Sequence, residues 1–116
     1  MSEGNGHPYS WSAIFNGFDK TEMSKCPFPV IPEYLSNEIF PDNFLTNLAN
    51  VTHIWTQDIN TSKKIATASK IDNVVNNIED LCDGVDAILL ARDDAENHIQ
   101  MAMPFIKAGL PIFIDK

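Results

Sequence analysis

From Val85 to its end the chain reads VDAILLARDDAENHIQMAMPFIKAGLPIFIDK, two apolar runs separated by a helical spacing. Asp86-Ala87-Ile88-Leu89-Leu90-Ala91 has strand length and no polar alternation, which predicts a strand covered on both faces within a parallel sheet. Arg92-Asp93-Asp94 ends it. Ile99, Met101, Ala102, Met103, Phe105 and Ile106 then recur near helical spacing, and Lys107 with Gly109 supplies a last-turn cation and a terminating glycine, so a helix of about three turns is expected. Pro111-Ile112-Phe113-Ile114 is a second strand, closed by Asp115-Lys116. A helix joining two parallel strands implies a right-handed crossover, and ligands of such sheets gather beyond the carboxyl ends of the strands. Those ends are Arg92-Asp93-Asp94 and Asp115-Lys116.

Upstream the same alternation of strand and helix continues. Val51 to Thr56 is a β-branched strand run, Asp58 stands as the N-cap of a helix from Ile59 to Ala66, Ile71 to Val75 is a weak strand, and Ile78 to Cys82 is a helical turn before Gly84. The segment at about 19–50 breaks the pattern. Four of the seven prolines fall there, which excludes a long helix and leaves short ones at Glu33–Ile39 and Asp42–Leu48. Links from a first helix to a second strand run to 2–6 residues, so this is a Pro-rich insertion, serving as a pocket wall or as passive packing. Ahead of it, Gly4-Asn5-Gly6 opens a weakly helical segment whose Trp11, Ile14 and Phe15 share one apolar face. Two glycines in that place suit a turn cradling a pyrophosphate at a helix N-terminus. Tyr9 stands where a third glycine would be, and no strand precedes the turn, so a flexible polar N-terminus is the competing reading.

Composition narrows the function classes. At 116 residues the chain makes one domain at most. With 16 acidic against 8 basic residues and a net charge of −8, it lacks the basic surface that nucleic acid requires. Cys26 and Cys82 match no metal-ligand spacing, so two reduced thiols and no metal are expected. No apolar run approaches the roughly 20 residues of a membrane span, and no signal peptide is evident, which leads to the expectation of a cytoplasmic protein.

The order DAILLARDDAENHIQMAMPFIKAGLPIFIDK resembles the second half of the nucleotide-binding domain of the glucose-fructose oxidoreductase, inositol dehydrogenase and MocA (Gfo/Idh/MocA) family. In that family a D-A-[VI]-x-[IL]-A strand precedes a helix ending K-A-G, and the next strand ends E-K-P. Here Asp115-Lys116 takes the place of the glutamate and lysine. The likeness is good from about Asn50 onward and partial before it. It implies an α/β fold with a Rossmann-like parallel sheet and flanking helices, incomplete over residues 1–116, the first strand and the separate substrate domain of the family being missing. It implies NAD or NADP as cofactor, a sugar, polyol or related hydroxyl compound as substrate, hydride transfer as the reaction, and a homo-oligomeric full-length enzyme. Lys116 becomes the catalytic, proton-handling lysine, and Gly4, Gly6, His7, Ser10, Thr56, Gln57, Ala91, Arg92, Asp93, His98 and Asp115 become cofactor contacts. A carboxylate at Thr56 would select NAD by accepting from the ribose hydroxyls, so its absence leaves both cofactors open. Two other readings stay in view. One is a non-catalytic nucleotide-binding or regulatory fragment, in which Lys116 is a solvated strand end and the chain alone is inactive. The other is a phosphoacceptor receiver-like domain, which needs an acidic pair after the first strand, where Glu3 stands alone.

Overall fold

The computed structural model describes residues 5–115. Helix α1 (His7–Asn16) carries Pro8 in its first turn, where a missing N–H removes no bond, and ends at Gly17, whose φ of 77° favours glycine. Two short helices follow, α2 (Lys20–Met23), capped by the Asp19 carboxylate, and α3 (Val30–Ser36). Then come β1 (His53–Ile54), α4 (Ile59–Ala68), β2 (Asn73–Val74), a 3₁₀ turn (Ile78–Cys82), β3 (Ile88–Ala91), a second 3₁₀ turn (Ala95–Asn97), α5 (His98–Lys107) and β4 (Ile112–Asp115).

The strands pair in parallel, in the α/β order expected of an incomplete Rossmann-like fold. They form two ladders rather than one sheet: β1 with β2, and β3 with β4, the latter in register from Ile88 opposite Ile112 to Ala91 opposite Asp115. The β-branched run at Val51–Thr56 contributes only two paired residues. The expectation that β3 and β4 are covered on both faces is also corrected. Leu89 and Phe113, opposite each other on one face, are 43% and 58% exposed because the described residues leave that face uncovered, and Ile114, beside buried Leu90 on the other face, is 45% exposed because that cover does not extend to β4.

Helix α1 fixes how the ladders stand. Near its start, the Asn5 side chain reaches Asp93 and His7 reaches Asp115, both at the carboxyl ends of β3 and β4. At its other end the Asn16 amide donates to the carbonyls of Val51, Ser69 and Lys70 and accepts from the Val51 N–H, all just before the amino ends of β1 and β2. The helix therefore runs against the strand direction from one ladder to the other, and the two ladders point the same way.

The main core joins α1, the insertion and α4 through Tyr9, Ala13, Met23, Leu35, Ile65 and their neighbours. The Pro-rich segment is thus part of the core, with Met23, Cys26, Ile31, Leu35 and Phe44 all buried. Asp42–Leu48, read as able to form a short helix after Pro41, forms turns, whereas α3 absorbs Pro32 in its first turn. Trp11 and Phe15 are only half-buried, and the face of α1 turned to the core is Tyr9 and Ala13 with Ser12. Burial pushes the Cys26 thiol pKa up, which suits an inert packed cysteine. A second, smaller nucleus of Ile88, Leu90, Ala102 and Phe105 lies apart from the main core. Among the described residues no helix is long and apolar enough to cross a membrane.

Candidate functional site

The carboxyl ends of β3 and β4 and the start of α1 meet in one polar cluster. Its first member is Asn5, 2% exposed, whose Oδ1 accepts from the His7 N–H at 2.9 Å and whose Nδ2 donates to Asp93 Oδ1 at 3.2 Å. Gly6 follows because space demands it: a Cβ there would lie 2.6 Å from the Cδ1 of buried Ile31 and 3.0 Å from the Phe28 ring. The insertion therefore presses directly on the turn that opens α1. Pro8 has no N–H, the His7 N–H is held by Asn5, and the Tyr9 N–H bonds Gly6 O, so α1 brings an anion chiefly its dipole.

His7 places its imidazole Nδ1 2.6 Å from Asp115 Oδ2. Both atoms are buried and the approach is not aligned as a hydrogen bond, so the pair acts as a charge contact once the imidazole is protonated. The same ring stacks on Trp11 with centroids 4.8 Å apart, and Trp11 meets Phe113 edge to face. Aromatic packing thus ties α1 to β4 beside the charge contact. Ser10 is buried, and its hydroxyl donates to the His7 carbonyl.

Arg92 leaves β3 with its side chain almost wholly buried, 5% exposed as a residue. Its Nε and Nη2 grip the two oxygens of Asp94 in a fork, the first at 2.7 Å. Asn97 donates to the same carboxylate, and the imidazole Nε2 of His98 lies 2.9 Å from the Arg92 carbonyl. The guanidinium beside it holds the Asp94 carboxyl well below the usual carboxylate range. One guanidinium nitrogen, Nη1, is buried with no hydrogen-bond partner. A buried donor without an acceptor is costly, and a ligand anion is one way to satisfy it.

The structure therefore brings together Gly6, His7, Ser10, Ala91, Arg92, Asp93, His98 and Asp115. Thr56 and Gln57 sit at the carboxyl end of β1, in the other ladder. The Thr56 hydroxyl donates to Asp58 O at 2.7 Å and meets Ser62 Oγ at 2.8 Å, so it is engaged by the first turn of α4. Asp58 caps that helix, accepting from the Asn60 and Thr61 N–H groups. Gly4 and Lys116 lie outside the described residues. Asn5 and Asp94 belong to the site but were not singled out as site residues in the sequence. Asn5 has a visible signal, an asparagine two residues before the first helical N–H, where its side chain favours a local turn. Among the described residues no group of three or more His, Cys, Asp or Glu is placed to hold a metal ion.

Residues 36–116, most of the chain, match a family model for Gfo/Idh/MocA proteins, described as an oxidoreductase family with an NAD-binding Rossmann fold. No curated protein matches the chain, and no solved structure does.

Proposed function

The chain belongs to the Gfo/Idh/MocA oxidoreductase family with its NAD-binding Rossmann fold, and from that premise we propose that it is the dinucleotide-binding part of an enzyme acting on a sugar, polyol or related hydroxyl compound. The observation that supports this reading is the convergence of α1 on the carboxyl ends of β3 and β4, where Rossmann-type sheets take their ligands. The residues fit the cofactor. Arg92 offers a buried N–H without a partner, the α1 dipole favours an anion, and two nearby carboxylates are already held, Asp94 by Arg92 and Asp93 by Asn5.

When bound, the nicotinamide supplies the hydride chemistry. The chain's own groups do the rest. Arg92 with Gly6 and Ser10 receives the phosphates, His98 and Asp93 border the ribose beyond β3, and Thr56 with Gln57 faces the second ribose beyond β1. Because Thr56 carries no charge and the neighbouring Asp58 carboxylate is turned to capping α4, NADP is accepted along with NAD. Lys116, next after Asp115, holds the substrate hydroxyl and takes or returns its proton.

Calorimetric titration of the chain with NAD and with NADP tests the binding half of this reading. Saturable binding of both is expected, weakened about tenfold or more by Arg92→Met. No saturation by either cofactor overturns it. The catalytic half is tested by Lys116→Met in an enzyme carrying the substrate domain. The folded, cofactor-saturated variant should lose roughly 10²–10⁴-fold in kcat, the usual range for a general acid or base. A kcat near wild type returns the chain to the non-catalytic, regulatory reading.

A further inference from the structure

The turn that opens α1 is short of backbone donors for an anion. Pro8 carries no N–H, the His7 N–H is held by the Asn5 side chain, and the Tyr9 and Ser10 N–H groups both bond the Gly6 carbonyl. A phosphate at a helix N-terminus ordinarily draws on such N–H groups. Here side chains must supply what the backbone does not. The Nη1 of Arg92, buried and without a partner, is one such donor, and it reaches the site from β3.

A second donor stands on the insertion. Phe28 and Ile31 press on Gly6, and Tyr34 follows Ile31 by one helical turn along α3, so it lies on the same side of that helix. Its phenol hydroxyl meets the hydroxyl of Ser10, in the first turn of α1. Ser10 gives its own hydrogen to the His7 carbonyl, so the hydrogen that can turn toward a ligand is the one on Tyr34. Burial pushes the Tyr34 pKa up and the nearby Glu38 carboxylate adds to it, so the phenol keeps that hydrogen at neutral pH. Tyr34 is 37% exposed, which leaves part of it open to a ligand.

We propose that Tyr34 is a further phosphate-binding residue of this site, the Pro-rich insertion supplying beside Ser10 an O–H donor that the α1 turn lacks. The ligand class is an organic pyrophosphate such as a dinucleotide, and the proposal rests on the cofactor reading given above. A link of the usual 2–6 residues between a first helix and a second strand has no room for such a donor, so the insertion serves binding besides its part in the core.

The test is calorimetric titration of the chain with NAD, comparing the wild type with Tyr34→Phe, which keeps the ring and removes only the hydroxyl. Binding about tenfold weaker is expected, the usual worth of one hydrogen bond to a charged group, with the melting temperature unchanged. A second measurement uses the wild type alone and decides the matter should Tyr34→Phe lower the melting temperature. With the chain's two tyrosines labelled with carbon-13 at Cζ, the Tyr34 signal should move on saturation with NAD, while that of Tyr9, 3% exposed in the core, stays. Equal affinity of a folded Tyr34→Phe for NAD, or a Tyr34 signal that does not move at saturation, overturns the proposal and leaves the cofactor reading in place. No saturation of the wild type overturns that reading and this proposal with it.

Discussion

Asn16 joins four backbone groups with one side chain, three carbonyls through Nδ2 and the Val51 N–H through Oδ1. Asn16→Ala leaves those groups to compete for water, and a loss of about 1–3 kcal/mol is expected in thermal or urea unfolding. Asn16→Asp should be worse at neutral pH, because a carboxylate oxygen then faces three carbonyls. Asp94 gives a pH-dependent counterpart. Arg92 lowers its folded pKa below the ordinary value near 4, so the stability it adds is present above about pH 4 and falls away as the pH drops toward the folded value. Melting temperatures of the wild type and Asp94→Asn should therefore draw closer between pH 6 and 3; a constant difference would place the stabilisation elsewhere. The two residues differ in how far they could be read in advance. The N-cap role of Asp58 was legible because its partners are two and three positions away. Asn16 was not, since its partners lie 35 and more positions along the chain.

Helix α5 shows which local signals prevail at the level of elements. Pro104 stands inside it and removes the bond that a residue there would donate to the Gln100 carbonyl, yet the helix runs unbroken from His98 to Lys107. Ala102 and Phe105 explain this, both almost fully buried on the face toward β3, so the apolar spacing outweighs the proline. Pro104→Ala should restore the missing bond and stabilise the chain by about 1–3 kcal/mol, measured by denaturant midpoint, with the discount that the Gln100 carbonyl can reach water. Elements whose burial follows from their own spacing, such as α4 and α5, were legible. Asp42–Leu48 could form a short helix after Pro41, but Phe44 packs into the core beside Phe18 and Phe40, and the segment turns instead. Strand lengths were overread for a related reason. An apolar run states that a strand can be buried, while the number of paired residues depends on what lies along each edge.

The accessible surface of 6856 Å² exceeds the roughly 6,300 Å² of a compact monomer of this mass, although the radius of gyration, 13.7 Å, is that of a folded domain. The excess is in keeping with a cleft of about 440 Å³ between the two ladders and with the uncovered faces of β3 and β4. The composition could disclose neither, because it states how much apolar surface exists and says nothing of where it is left. The two separate hydrophobic nuclei have a further consequence, for the way the molecule opens. Ile88, Leu90, Ala102 and Phe105 hold β3, α5 and β4 as a unit, on which the Ile78–Cys82 turn packs against α5 and which the start of α1 reaches through Asn5, His7 and Trp11. Such a unit is a foldon, able to unfold while the larger nucleus stays intact. Native-state hydrogen exchange should show it as a set of amides released at a lower free energy than those of α4, with the gap narrowing when a ligand bridges α1 and β3. A single common exchange free energy in the free chain would mean that the contacts of α1 and of the Ile78–Cys82 turn suffice to make both nuclei one cooperative body.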